Sequence, residues 1–283
     1  APIERFHAAG VHYVSINIGM DMNPLSQVMQ TIAGFRASVA AQPDRFVLAN
    51  TVQDVAQAAA EGKLAIGFDL EGALPLLEEP DMVALYQSLG VRQMHLAYNR
   101  NNSVAGGCHD VEQGLTSLGH QVVQAINAAG VLMDCSHTGR RCSLDVMAAS
   151  SAPVIFSHAN PLALVEHGRN VTDEQIRACA ATGGVVCVSG VSFFLGNNQP
   201  TAVDVARHAA YVANLVGVAV VVTCIVWVLP GGEVQDPATV IALNLIVGLI
   251  YLVVIAPIGI IWGEAWLRGG RRWIQEERPP TDQ

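Results

Sequence analysis

The fold is decided by the stretch Met133-Asp134-Cys135-Ser136-His137, an apolar run that ends in Ser-His. The same pattern returns in Val154-Ile155-Phe156-Ser157-His158, where the second histidine follows the first by 21 residues. That distance is about one strand and one helix of an α/β repeat. The pattern therefore predicts two neighbouring parallel strands, each presenting a histidine at its carboxyl end.

Further apolar runs extend this pattern in both directions along the chain. They are rich in Val, Ile and Leu on both faces, which is typical of parallel strands covered by helices. Helix signals lie between the runs, such as Thr51 before a helix and Thr172 with Gln175 in a capping box. The predicted strands are Val11–Ile18, Leu64–Leu70, Arg92–Tyr98, Val131–Ser136, Val154–Ser157 and Gly184–Val188.

Six strands, each followed by a helix, fit either a doubly wound sheet or a (β/α)8 barrel. Polar residues follow the ends of four different strands, at Glu71, Asn99, His137 and His158. A barrel gathers its chemistry around the whole rim, whereas an open sheet concentrates it at one switch point. We therefore predict an α/β fold, an incomplete (β/α)8 TIM-type barrel over residues 1–211.

The residues at this rim suggest a metal site. Two imidazoles and a carboxylate, here His137, His158 and Glu71, form a known three-ligand zinc set with an open position. A histidine in such a place is otherwise a structural hydrogen-bonding group, and Asp69 beside Glu71 is equally compatible with a solvated strand end. Arg169, in a loop after the second Ser-His, is either a clamp for a substrate carboxylate or a surface arginine.

Composition excludes several classes of protein. The 283 residues are 51% hydrophobic and 14% charged, which excludes a disordered chain. The net charge is −9 without a basic stripe, so we expect no nucleic-acid partner. No P-loop, G-x-S-x-G or G-x-G-x-x-G occurs, so an NTPase, a serine hydrolase and a dinucleotide enzyme lack support. Six cysteines without a C-x-x-C pair predict free thiols rather than a disulfide framework.

The last quarter of the chain has a different character. Residues 212–229 and 240–262 are apolar runs, each about as long as a membrane span, on either side of a short polar turn. Tryptophans and three arginines follow the second run, which places that end on the cytoplasmic side. We predict a two-helix membrane hairpin over residues 212–267 and a basic, polar cytoplasmic tail over 268–283, with the barrel on the same side. The alternative is a pair of buried core helices.

Six ordered motifs over residues 5–216 resemble the membrane dipeptidase (renal dipeptidase) family of zinc peptidases. They are Gly67-Phe68-Asp69-Leu70-Glu71-Gly72, Leu89-Gly90-Val91-Arg92 with Leu96-Ala97-Tyr98-Asn99, Gly114-Leu115-Thr116, Asp134-Cys135-Ser136-His137, Pro153-Val154-Ile155-Phe156-Ser157-His158 and Gly168-Arg169-Asn170-Val171.

The resemblance implies a (β/α)8 barrel that hydrolyses dipeptides with two zinc ions bridged by a glutamate. It implies that Glu71 is this bridging carboxylate and acts in catalysis, and that His137 and His158 are ligands of one zinc. It assigns the substrate carboxylate to Arg169. Asn99 lies in a polar loop after the third predicted strand, which suits the rim of a pocket, and we expect it to contact the substrate as well. Tyr98 stands where renal-type members carry a histidine near the scissile carbonyl.

The chain departs from this family at both ends. No His-x-Asp, which supplies the second zinc, precedes Glu71, and the segment after Tyr211 enters the apolar runs instead of a strand ending in Asp. The segment after the barrel resembles the membrane region of actinobacterial adenylate cyclases. We therefore expect a fragment, a fusion or a chimera. The alternatives to a zinc dipeptidase are a non-catalytic, membrane-anchored remnant with at most one zinc, and a membrane sensor. The sequence does not decide whether the chain forms a homodimer.

Overall fold

Parallel strands form the centre of the fold. The structure is a computed structural model and describes residues 2–217 and 220–222, which lie in one compact unit, Ala1–Val228. The main sheet has the strand order β1-β3-β4-β5-β6, with β2 beside β3, and β7 pairs separately with β8. The described strands are β1 (Tyr13–Met20), β2 (Phe46–Leu48), β3 (Leu64–Glu71), β4 (Val91–His95), β5 (Leu132–Asp134), β6 (Val154–Ile155), β7 (Val186–Cys187) and β8 (Val221–Val222).

Strand β3 pairs with three other strands of the main sheet. Its first seven residues are all buried, as expected of a strand covered on both faces. One edge pairs with β1, while the other pairs first with β2 and then with β4. All of these pairs are parallel, so the carboxyl ends of the strands lie along a common rim.

Helices connect the strands, and capping groups in the sequence fix several of their ends. The Thr172 hydroxyl accepts a hydrogen bond from Gln175 N at 3.3 Å, and Gln175 Oε1 accepts one from Thr172 N at 2.9 Å, which confirms the predicted capping box. The described helices are α1 (Pro2–Ala8), α2 (Leu25–Ala40), α3 (Val52–Ala60), α4 (Met82–Ser88), α5 (Ser117–Ala129), α6 (Arg140–Ala149), α7 (Asp173–Ala181), α8 (Ser192–Leu195) and α9 (Ala202–Val216).

The first predicted membrane run begins differently in the structure. Helix α9 ends at Val216, and Val221–Val222 forms β8, which pairs with β7. The run from residue 212 is therefore not one continuous helix, because its start completes a helix of the α/β unit and its next part joins a sheet. Among the residues that the structure describes, no helix combines the length and apolar character needed to cross a membrane. The remainder of the predicted hairpin and the tail 268–283 lie outside the described residues.

Four cysteines in the described part of the chain carry free thiols. Of these, Cys135, Cys142 and Cys179 are buried, and Cys108 is half-buried. This confirms the prediction of free thiols for these four, while Cys224 lies outside the described residues.

Candidate metal centre

Strand register brings the predicted site residues together. Glu71, the last residue of β3, pairs with His95 at the end of β4, and His95 pairs with Asp134 at the end of β5. His137 and His158 each follow the last residue of their strand by three positions. Five ionisable side chains from four strands therefore lie along one part of the rim.

The three predicted metal ligands converge. His137 Nε2 lies 2.8 Å from His158 Nε2, and each of these atoms lies 3.8 Å from Glu71 Oε1. The other ring nitrogens face fixed partners, since His137 Nδ1 is 2.8 Å from Asn99 Oδ1 and His158 Nδ1 is 2.7 Å from Ser157 Oγ. Partners at Nδ1 orient the rings so that both Nε2 atoms point to a shared centre.

The structure adds a histidine that the sequence left without a role. Ligand atoms of Glu71, His95 and His158 all lie within 4.8 Å of one another, so His95 belongs to the same cluster. Its side chain has no exposed surface, and its Nε2 lies 2.8 Å from Asp134 Oδ2 in an ion-pair contact. No local signal in the sequence pointed to His95, because it lies inside the predicted strand Arg92–Tyr98 and its register with Glu71 and Asp134 is a property of the folded sheet.

Burial sets the charge state of the cluster. It raises the pKa of Glu71 to about 7 against the opposing field of His95. Burial lowers the pKa of His158 to about 3, although the nearby Asp134 carboxylate acts to raise it. Burial, together with the positive charge of Arg169, holds the pKa of His137 well below its usual value. Burial alone would lower the pKa of His95, but the Asp134 carboxylate raises it to about 9.

These charges describe a rim prepared for a cation. His137 and His158 are neutral at neutral pH and so keep their lone pairs, while His95 and Asp134 form a charged pair beneath them. The partly buried Glu71 carboxylate is poorly solvated, so a bound cation stabilises its ionised form. The donor set and its charges therefore fit a divalent metal ion such as zinc.

Arg169 reaches the same cluster from its loop. The residue is only 5% exposed, its Nη1 donates to Ser136 O, and its Nη2 lies 3.1 Å from His137 Nε2. The guanidinium also lies over the Phe194 ring at 5.2 Å from the centroid. Among residues 2–217 and 220–222, no Asp or Glu forms an ion pair with it. The surface-arginine alternative is therefore wrong.

Tyr98 and Asn99 also contact His137. The Tyr98 ring stacks on the His137 ring with 4.3 Å between centroids and 25° between planes. Asn99 has a positive φ of 63°, and its carboxamide oxygen is engaged by His137 Nδ1. A Cβ on Gly107 would come within 2.3 Å of the Asn99 backbone, so the glycine permits this loop to pack closely. In this arrangement Asn99 orients a ligand, and a contact between Asn99 and substrate stays a prediction.

Two aspartates support the rim. Asp69 is buried, and accepts hydrogen bonds from Ser15 Oγ at 2.6 Å and Asn17 Nδ2 at 3.1 Å, so it is not a solvated strand end. Asp21, which no motif in the sequence indicated, accepts hydrogen bonds from Tyr98 N, Asn102 Nδ2 and Leu74 N. Asp21 thus ties the loop that carries Tyr98 to the loop that follows β3.

With this geometry in place, comparison with known proteins identifies the family. A sequence model of the membrane dipeptidase family, peptidase family M19, matches residues 5–225. The chain belongs to the membrane dipeptidase family. It is 33% identical over 166 residues to an uncharacterized dipeptidase of Schizosaccharomyces pombe and 31% identical over 180 residues to dipeptidase tcpJ of Claviceps purpurea.

These alignments cover 55% and 62% of this chain but only 39% and 42% of the two relatives. The chain therefore spans about two fifths of the length of these membrane dipeptidase relatives. They give no support to a resemblance of the C-terminal segment to adenylate cyclases.

Solved structures show the same fold. The chain matches an amidohydrolase from Pseudomonas aeruginosa with a TM-score of 0.77 and 26% identity, over 81% of this chain and 71% of that one. It matches a metallo peptidase from Rhodobacter sphaeroides, liganded with a phosphinate mimic of the dipeptide L-Ala-D-Ala, with a TM-score of 0.77 and 21% identity. That match covers 88% of this chain and 83% of the other. The α/β, TIM-barrel-like fold expected for a membrane dipeptidase is thus confirmed.

Proposed function

We propose that this chain acts in the metal-dependent hydrolysis of dipeptides, with zinc held by Glu71, His137 and His158. The observation that carries the proposal is the convergence of Glu71 Oε1 with the two Nε2 atoms at 2.8–3.8 Å. A zinc ion in this set would supply Lewis acidity, which polarises a peptide carbonyl and makes water more acidic.

We assign the second imidazole ligand to His137 rather than His95. His95 is completely buried, and its Nε2 faces the Asp134 carboxylate at 2.8 Å. A protonated imidazole has no lone pair to offer a metal, whereas the environment of His137 keeps its ring neutral. His95 then serves as the cation that neutralises Asp134.

Arg169 provides the group that would select the substrate. A guanidinium that is buried without an acidic partner among the described residues is costly, and a carboxylate from a ligand would offset that cost. Its contact with His137 places the positive charge beside the proposed metal ligands. A free carboxylate bound there would restrict substrates to very short peptides.

Glu71 and Tyr98 are the residues proposed to act on the reacting groups. Glu71, which is 17% exposed at its side chain, would act through the zinc ion that it is proposed to hold. The hydroxyl of Tyr98 extends from a ring already fixed against His137. We infer that this hydroxyl donates to the carbonyl oxygen of the scissile bond.

The test is hydrolysis of a dipeptide with a C-terminal D-residue by the full chain supplied with zinc. Turnover that disappears in His158→Ala and on chelation, and returns when zinc is added to the wild-type chain, is the expected result. The Arg177→Met variant, which changes an exposed cation on α7, is the control. Turnover that survives in His158→Ala would contradict the proposal.

The second candidate is a non-catalytic remnant that binds at most one zinc. The observation in its favour is that no His-x-Asp occurs between residue 1 and Glu71. One zinc per chain without turnover would favour the remnant, whereas turnover would exclude it.

The membrane location is a separate proposal that rests on the apolar run 240–262, since part of the run 212–229 belongs to α9 and β8. Extraction of the full chain with and without detergent tests it. A monomer that is fully soluble without detergent would contradict membrane association.

A further inference from the structure

Asp134 lies beneath the two proposed histidine ligands, and its side chain has no exposed surface. It is the last residue of β5, three positions before His137. Its register partner on β6 is Ile155, three positions before His158. One carboxylate is thus adjacent to the start of both histidine-bearing segments.

The two oxygens of Asp134 have different partners. Oδ1 accepts hydrogen bonds from Ser136 N at 2.9 Å, Ser136 Oγ at 2.6 Å and Ser157 N at 3.2 Å. Oδ2 accepts a hydrogen bond from Gln93 Nε2 at 2.7 Å and lies 2.8 Å from His95 Nε2. Oδ1 therefore fixes the backbone at the residue directly before each histidine, while Oδ2 joins β5 to β4.

Ser136 carries this restraint further. Its hydroxyl donates to Asp134 and accepts a hydrogen bond from His158 N at 3.1 Å. These two hydrogen bonds, between Asp134 and Ser136 and between Ser136 and His158, thus connect the end of β5 with the end of β6. Since the Ser136 backbone also leads directly into His137, both histidines are positioned from one point.

We propose that Asp134, acting through Ser136, is a positioning residue that sets the separation and orientation of His137 and His158. The inference rests on the metal-binding function proposed above. Partners behind the ligands commonly change metal affinity 10–100-fold, because a ligand held in place loses little freedom on binding. Here one buried carboxylate, paired with His95, holds two metal ligands in place.

The experiment is a Co²⁺ and Zn²⁺ titration of the full chain and its Asp134→Asn and Ser136→Ala variants. The visible spectrum of bound Co²⁺ reports ligand geometry, and competition with a chromophoric chelator gives the affinity for each metal. We expect both variants to bind about 10–100-fold more weakly and to show an altered cobalt spectrum. A merely structural residue would change stability without changing either readout.

Matched controls lie on α6, away from the histidines. Asp145 accepts a hydrogen bond from Leu115 N at 3.0 Å, so Asp145→Asn makes the same change of charge at another hydrogen-bonded aspartate. Ser143 is buried and hydrogen-bonded to Arg140 O and Gln175, so Ser143→Ala matches Ser136→Ala. Thermal unfolding of all four variants shows whether affinity follows stability. We expect the controls to keep the wild-type affinity and cobalt spectrum.

The outcomes separate the two proposals. A wild-type chain that binds no metal would overturn the proposed function and the positioning role together. A wild-type chain that binds metal, with Ser136→Ala and Asp134→Asn unchanged in affinity and spectrum, would overturn only the positioning role. If Asp134→Asn does not fold, Ser136→Ala decides alone, because it leaves the Asp134–His95 pair in place.

Discussion

Replacing Arg169 by methionine tests whether the buried guanidinium exists to bind a substrate carboxylate. Arg169 is 5% exposed, contacts Ser136 O, His137 Nε2 and the Phe194 ring, and has no acidic partner among the described residues. Methionine has a similar reach and packs against aromatic rings, but it carries no charge. We expect the variant to fold, since removal of an unpaired buried charge also removes its desolvation cost.

The magnitude follows from the contact that is lost. A hydrogen bond to a charged group contributes about 1.5–3 kcal/mol, and about 1.4 kcal/mol corresponds to a tenfold change in affinity. Loss of the contact should therefore weaken dipeptide binding by about 10- to 150-fold. Arg169→Lys, which keeps the charge without the planar fork, should lie between wild type and Arg169→Met.

The assay is calorimetric binding of a non-hydrolysable dipeptide analogue and of its C-terminal amide to the zinc-supplied full chain. Arg169→Met should weaken binding of the dipeptide and leave binding of the amide within about twofold, since the amide lacks the anionic group. Arg177→Met, on the exposed face of α7, should change neither value. Equal losses for dipeptide and amide would refute the assignment, because Arg169 would then act only on the structure of the site.

Four further predictions concern the rim. Burial raises the pKa of Glu71 from 4.5 to about 7, so protons compete with the metal for this carboxylate. Zinc affinity, measured by chelator competition, should therefore fall as the pH drops below 7, by up to about tenfold per pH unit. The Glu71→Gln variant should not show this pH dependence. By the same shift, ionisation of Glu71 costs the zinc-free fold stability as the pH rises from 4.5 to about 7, so the stability of the wild type relative to Glu71→Gln should fall over this range in thermal unfolding. Tyr98→Phe keeps the ring on His137 and should leave zinc affinity within about twofold while lowering kcat. Asp21→Ala should lower the free energy of unfolding in urea by about 1–3 kcal/mol, because three donors lose their acceptor, whereas the same change at exposed Asp81 should have little effect.

The sequence predicted the ligands because their pattern is local. Ser-His at the end of two apolar runs, with Glu71 at the end of a third, requires only that parallel strands share a rim. The sequence did not predict the pairing of His95 with Asp134, because it depends on the register between β4 and β5, which no local pattern reports. Seen alone, each is one polar residue in an apolar run.

The helices also divide into those that a local sequence pattern predicted and those that it did not. Helices that begin with a hydroxyl cap, such as that after Thr172, were predicted from the sequence. Helix α2 was missed, since Pro24 before it makes no side-chain cap and its first turn holds no acidic residue. Helix α6 was missed for a similar reason, because Gly139 precedes it without a side-chain cap. The apolar run from residue 212 also gave no local sign of where α9 ends and β8 begins.

Metal content per chain tests the central assignment most directly. The full chain, purified after exposure to zinc and passed through a desalting column, should retain one zinc per chain by mass spectrometry of the metal. His137→Ala and His158→Ala should each retain almost none, while His208→Ala, at a buried histidine of α9 outside the cluster, should retain the wild-type amount. A wild-type chain without zinc, or zinc that persists in both His137→Ala and His158→Ala, would contradict the assignment.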